Sequence, residues 1–255
     1  MCLVIIGHQQ HPQWPLLIAA NRDEFHARAT APSHFWREQG DMLAGKDLEA
    51  GGTWMGIHRN GRFAAVTNYR DPARTAPAPR SRGELPTAFL LGSDTPLDYL
   101  AKVSERMSDY AGFNLLVGDN DSLCYLGNDG QTGPQLLTPG VYGLSNARLD
   151  TPWPKVERGK TVMSQLLASS ELGHRSLASA VSDPALARPE ELQAQGLDGE
   201  MDVLLSAQFI SAGGYGTRST TTILRGQDEL SWRETSFDEQ GRITSTVEEQ
   251  LPLTG

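Results

Sequence analysis

Apolar positions along this chain fall in short runs separated by turn residues, the pattern of strands rather than of long helices. Residues 3–7 and 16–21 are two such runs, joined across a polar loop that holds Pro12 and Pro15. Residues 26–50 keep no sustained period and contain Pro32, Gly40 and Gly45, which predicts a long loop. Runs at 53–58 and 62–68 flank Asn60-Gly61, a strong hairpin signal. The second run closes on Asn68-Tyr69-Arg70-Asp71-Pro72, where the proline stops the strand. Residues 73–83, rich in Pro, Ala and Arg, read as exposed loop.

Two helical patterns follow. Ser81-Arg82-Gly83-Glu84 has capping-box spacing and opens a helix through about residue 91. Thr95-Pro96 opens another, with Leu97, Leu100, Val103 and Met107 on one face. Strand runs return at 113–118 and 122–127 around Asp119-Asn120-Asp121, a turn that lacks the glycine and closing glutamate of a calcium loop. A strand at 141–145 ends in Ser145-Asn146, and Thr151-Pro152 starts a helix through about residue 169. Short helices and loops fill 170–212, and 217–224, 229–235 and 242–247 form a closing meander. Hairpin-linked strands alternating with helices predict an α+β layered fold with largely antiparallel sheets. No repeat or linker divides the chain, so one domain is expected over residues 1–255. The glycine-rich 212–216 has neither phosphate-loop nor dinucleotide spacing.

Composition narrows the function classes. Hydrophobic residues make up 38% and charged residues 21% of the 255 positions, an ordinary globular balance. A net charge of −9 argues against nucleic-acid binding. The two cysteines, Cys2 and Cys124, make no disulfide framework, and no CxxC or paired zinc spacing occurs. There is no basic region followed by an apolar core at the N-terminus, and no apolar run approaches the roughly 18 residues of a membrane span. These features predict a reducing, cytoplasmic setting. Nothing in the pattern specifies an oligomeric state.

The chemistry gathers at the start of the chain. Removal of Met1, which the small Cys2 permits, leaves a thiol and a free α-amine on one residue at the head of an apolar strand. An α-amine has an unperturbed pKa of roughly 7.7–8.0 and a thiol roughly 8.5, so nucleophile and general base stand together. A hairpin between the first two strands brings Asn21-Arg22-Asp23-Glu24 beside Cys2. Because strand side chains alternate, Arg22 and Glu24 share one face and Asn21 and Asp23 the other. Which pair faces Cys2 is open at this level. The competing reading is a small apolar cysteine on a buried strand.

Four pieces recur together: Met1-Cys2 with Asn21–Glu24; Gly51-Gly52-Thr53-Trp54 with the 67–72 segment; Gly143-Leu144-Ser145-Asn146 with Asp150-Thr151-Pro152-Trp153-Pro154-Lys155; and Thr217-Arg218-Ser219-Thr220-Thr221. In this order they closely resemble the NRDE family, also called the transport and Golgi organisation family, over residues 1 to about 224. That family is in turn similar to N-terminal nucleophile hydrolases of the penicillin V acylase and bile-salt hydrolase type. The resemblance implies a four-layer α-β-β-α sandwich. It also implies Cys2 as nucleophile, Arg22 and Asp23 beside it, Asn68 as oxyanion donor, Asn146 as a second asparagine and Arg218 as a late arginine. The hydrolases space the early arginine and aspartate as Arg-x-x-Asp, whereas Arg22 and Asp23 are adjacent here, and Asn21 and Glu24 take those two places in that register. Trp54 and Tyr69 complete the expected substrate-binding set.

Two functions are weighed. The first is an amidohydrolase acting on linear C–N bonds of a small amide or acyl substrate, with no cofactor required. The second is a binding or trafficking protein for haem or an acyl ligand, a role to which family members have been linked. Its candidate iron ligands are Cys2, His8, His11, His26, His34 and His58. A plain scaffold with exposed Trp14 and Trp36 as contacts is a third option.

Overall fold

The computed structural model describes residues 2–37, 40–70, 78–130, 133–197 and 199–254. The expected proline stop at Asp71-Pro72 and residues 73–77 of the 73–83 loop lie outside the described residues. The strands are β1 (Cys2–His8), β2 (Leu16–Phe25), β3 (Thr30–Phe35), β4 (Met42–Asp47), β5 (Met55–His58) and β6 (Phe63–Asn68). Helices α1 (Glu84–Leu91) and α2 (Pro96–Ser104) come next, then β7 (Phe113–Gly118), β8 (Leu123–Gly127), β9 (Gln135–Leu136) and β10 (Gly140–Leu144). Helix α3 (Pro154–Leu167) is followed by the short α4 (His174–Ala178), α5 (Pro189–Gln193) and α6 (Glu200–Leu204). β11 (Ser211–Ala212), β12 (Tyr215–Arg225), β13 (Glu229–Phe237) and β14 (Ile243–Pro252) close the chain.

These strands make two antiparallel sheets. One runs β10-β1-β2-β12-β13-β14 with β11 on β12, and the other runs β3 to β9 in chain order. Alternation along the strands builds three apolar layers. The even positions Val4, Ile6, Ile18 and Ala20 meet Leu43, Ile57, Phe63 and Leu116 between the sheets. The odd positions Leu3, Ile5, Leu17 and Ala19 face Val156 and Met163 of α3 and Leu177 of α4. On the far side, Leu115, Val117 and Cys124 pack with Leu85, Phe89, Leu100 and Val103 of α1 and α2. The result is the helix, sheet, sheet, helix sandwich that the resemblance implied.

Several local expectations change. The expected loop at 26–50 contains β3 and β4, whose pairing slips between Ala31 and His34. That irregularity breaks the period-2 signal, so the sequence shows no strand. The 81–84 capping box does not form: α1 is capped at Gly83 with no side-chain bond, and the Glu84 carboxylate turns to Tyr110 and Arg80. At α2 the Thr95 side chain does accept from Asp98 N, but Leu97 is 47% exposed and Tyr99 takes its place in the core. Helix α3 starts at Pro154, since Thr151 and Pro152 lie ahead of its cap at Trp153. Trp36 is buried, its indole N–H donating to Ala44 O at 3.1 Å, and Trp14 packs against the α3 layer, so neither is a free surface contact. No helix among the described residues is long and apolar enough to cross a membrane.

Candidate active site

Cys2 is the first residue of β1, and its partner across the hairpin is Arg22. Directly paired residues point to the same side of a sheet, and the even positions of β1 and β2 face the inter-sheet space. Cys2, Arg22 and Glu24 therefore share that side, while Asn21 and Asp23 face the α3 layer. At the open end of the sandwich this space widens into a cavity of about 310 Å³ lined by Cys2, Arg22, Asp23, Glu24, Trp54 and Asn68, with Arg28, Asp47, Arg80 and Arg82.

Arg22, Trp54, Asp47 and Asp23 are each held in place. Arg22 is buried, donates to Thr30 Oγ1 at 3.0 Å, lies 3.8 Å from Asp47 and stacks its guanidinium 4.3 Å from the Trp54 ring centre. Trp54 has room only because position 45 is glycine: a Cβ there would fall 2.1 Å from the indole. Burial pushes the Asp47 carboxyl up, but the hydrogen bonds from Arg28 and from Ala50 N and Glu49 N hold it below the usual carboxylate range overall. Asp23 is buried and accepts from Thr217 Oγ1 at 2.8 Å. Burial raises its pKa, opposed chiefly by Lys155. Burial also raises the Cys2 thiol and Asp23 adds to the rise, while the terminal ammonium and Arg22 pull it down.

The two asparagines play different structural parts. Asn68, at the end of β6, is exposed to the cavity and its side chain makes no hydrogen bond among the described residues. Asn146 is buried behind the wall and spends its amide on the Asn68 carbonyl at 2.7 Å. Its neighbour Ser145 donates to the Cys2 carbonyl at 3.0 Å. The Ser145-Asn146 pair thus straps the first residue of one sheet to the last residue of β6 in the other. Thr67 Oγ1, which donates to Ser145 O at 2.7 Å, and Asn114 Nδ2, which donates to Ala147 O at 2.9 Å, hold the strap in turn.

Besides Asn146, three expected site residues lie off the cavity. Asn21 is consumed structurally: its amide donates to Val181 O and Gln208 O, and its oxygen accepts from Thr220. Tyr69, just past the end of β6, does not line the cavity, and its N–H donates to Gly112 O at 2.9 Å. Arg218 falls at a register slip between Thr217 and Ser219 in the β2–β12 pairing. Its Nη1 gathers the carbonyls of Phe25, His26 and Arg28, so it shapes the turn that carries Arg28 instead of facing Cys2.

The structure adds Lys155, which the sequence offers only as part of a motif. The residue is 2% exposed, and its ammonium donates to Leu205 O at 2.8 Å and interacts favourably with both Asp23 and Cys2. Burial pushes its pKa down. A buried lysine on a helix adjoining a cysteine strand was the available signal. Of the six candidate iron ligands, Cys2 lines the cavity and the five histidines do not; seven of the lining residues are charged. Among the described residues no group of three or more His, Cys, Asp or Glu is arranged for a metal.

A family model described as Transport and Golgi organisation 2 matches residues 1–239. The chain belongs to the Transport and Golgi organisation 2 family. Its relatives within the family include the Transport and Golgi organization 2 homolog of Mus musculus, 37% identical over 98% of this chain and 94% of the mouse protein. The human homolog is 38% identical over 89% of this chain and 90% of its own length. Among solved structures, the C2A mutant of conjugated bile acid hydrolase from Clostridium perfringens aligns at 8% identity and a TM-score of 0.46, over 99% of this chain and 92% of that one. An N-acylethanolamine-hydrolyzing acid amidase ortholog from Caenorhabditis elegans aligns at 8% identity and 0.44, over 88% and 92%.

Proposed function

We propose that this member of the family is an N-terminal cysteine amidohydrolase, active once Met1 is removed. The observation that carries the reading is the direct pairing of Cys2 with Arg22 on the wall of a cavity that also holds the unbonded Asn68 side chain. The Cys2 sulfur attacks the carbonyl carbon of an amide, and the thiol proton passes to the Cys2 α-amine. The Asn68 amide faces the oxyanion. The C–N bond breaks as the α-ammonium returns the proton to the leaving nitrogen, which departs as an amine and leaves a thioester. Water then adds to the thioester, giving its proton to the α-amine. The C–S bond breaks, a carboxylic acid leaves and the sulfur recovers the proton. Asp23 holds the α-ammonium and Arg22 favours the thiolate. Asn146, Ser145 and Arg218 act by positioning these groups.

Intact mass and an amide panel test this. The expected mass starts at Cys2. Cys2→Ala should stay folded and lose all turnover, and Asn68→Ala should lower kcat by about 10²–10³. Retention of Met1 in an active protein, or full turnover by Cys2→Ala, would overturn the mechanism.

A further inference from the structure

Four guanidinium groups line the cavity that holds Cys2, although the chain carries a net charge of −9. Three have partners. Arg28 pairs with Asp47 at 2.8 Å and Glu49 at 3.1 Å, Arg80 pairs with Glu84, and Arg22 is fixed between Thr30, Trp54 and Asp47. Arg82 differs. Its single hydrogen bond is from Nη1 to Gly112 O at 3.0 Å, and among the described residues no carboxylate lies within salt-bridge distance. Its Nε and Nη2 donors are left to the cavity.

The backbone beneath Arg82 is fixed. Gly83 O accepts from Thr53 N at 3.1 Å, and the chains touch so closely there that a Cβ on Gly52 would lie 2.4 Å from that carbonyl. Gly112 O, which clamps Arg82, also accepts from Tyr69 N. The guanidinium is therefore held in place before any ligand arrives, which lowers the ordering cost of binding. The carboxylates nearest the site have other partners: Asp23 accepts from Thr217, Asp47 is taken by Arg28, and Glu24 accepts from Phe25 N. Burial pushes the Arg82 pKa down, and Cys2 and Glu24 favour its charge only from beyond ion-pair distance, so a half-buried guanidinium with no ion pair among the described residues gains from an anion seated against it. The planar fork of a guanidinium suits a carboxylate, sulfonate or phosphate bidentately.

We infer that Arg82 is an anion-receiving subsite beside the nucleophile, so that the substrate is an amide bearing a carboxylate, sulfonate or phosphate group. The substrate class rests on the amidohydrolase reading; the subsite does not.

Alkylation of Cys2 separates the two. Iodoacetate and iodoacetamide place a charged and a neutral group of similar size in the same cavity. Their rate ratio at Cys2, read by peptide mass, should drop about fivefold in Arg82→Met, the loss of one attractive charge at close range. Arg82→Lys should restore most of the ratio. An unchanged ratio in Arg82→Met overturns the subsite. In the turnover arm, N-hexanoyl-4-aminobutyrate is compared with the neutral N-hexanoylpentylamine. Arg82→Met should raise KM for the first about fivefold and leave the second unchanged; an equal effect on both overturns the substrate class. If neither amide is cleaved while the alkylation ratio still falls, the hydrolase reading fails and the subsite stands.

Discussion

At the scale of single residues, the two cysteines differ in access. Burial pushes Cys124 up to about 11 and leaves it with no exposed surface in the α1–α2 layer. Cys2 is raised too, but it stands on a cavity wall with Arg22 opposite. Because the thiolate is the reacting form, a short iodoacetamide pulse at neutral pH should label Cys2 first, and faster as pH rises. Arg22→Ala should slow Cys2 labelling a few-fold, since a positive neighbour is lost. First labelling of Cys124 in the folded protein would count against the assignment. Alternation in the sequence narrowed the choice to Arg22 with Glu24 or Asn21 with Asp23, and the Cys2–Arg22 pairing selects the former. The sequence was silent on Asn146, Arg218 and Lys155 as the structure has them. Their hydrogen bonds run to backbone groups many residues away, and no local spacing encodes such a partner.

At the scale of elements, the seat of α3 on β1 depends on Gly159. A Cβ there would lie 2.6 Å from Ile5 Cδ1 and 2.7 Å from Ala180 O. Helix propensity alone favours alanine by about 1 kcal/mol, but forcing a methyl against a backbone carbonyl costs about 1–3 kcal/mol. Gly159→Ala is thus expected to lower stability by up to about 2 kcal/mol, the strain less the propensity gain, in a urea titration, whereas Gly40→Ala, which meets no atom within 4 Å, should shift it by less than about 0.5 kcal/mol. Equal effects would show that the α3 layer yields. Strands that are short continuous apolar runs bounded by turns, such as β1, β7 and β8, were legible in the sequence almost to the residue. Strands β3 and β4 were not, because slipped pairing disrupts the alternation and β3 buries only Ser33. The slip at Arg218 has the same cause and re-aims a side chain that regular alternation would have placed elsewhere.

At the scale of the whole molecule, both sheets draw strands from either side of residue 75. β1 and β2 pair with β10 and β12, and β6 pairs with β7. A nick near residue 75 should therefore leave two pieces that stay associated and melt in one transition, while residues 1–75 expressed alone should be unfolded by circular dichroism. A folded isolated fragment would contradict this. By itself the sequence determined the layered antiparallel class, the family, and a thiol at the head of the first strand, because short apolar runs and an Asn-Gly turn are local properties of the chain. Only the tertiary structure decided which face of β2 meets Cys2, that Asn146 is a strap and Arg218 a brace, and that Arg82, among the described residues, is the cavity arginine with no carboxylate at salt-bridge distance. Those are properties of spaces between segments distant in sequence, where charge, burial and partner are fixed only once the two sheets and their helices are brought together.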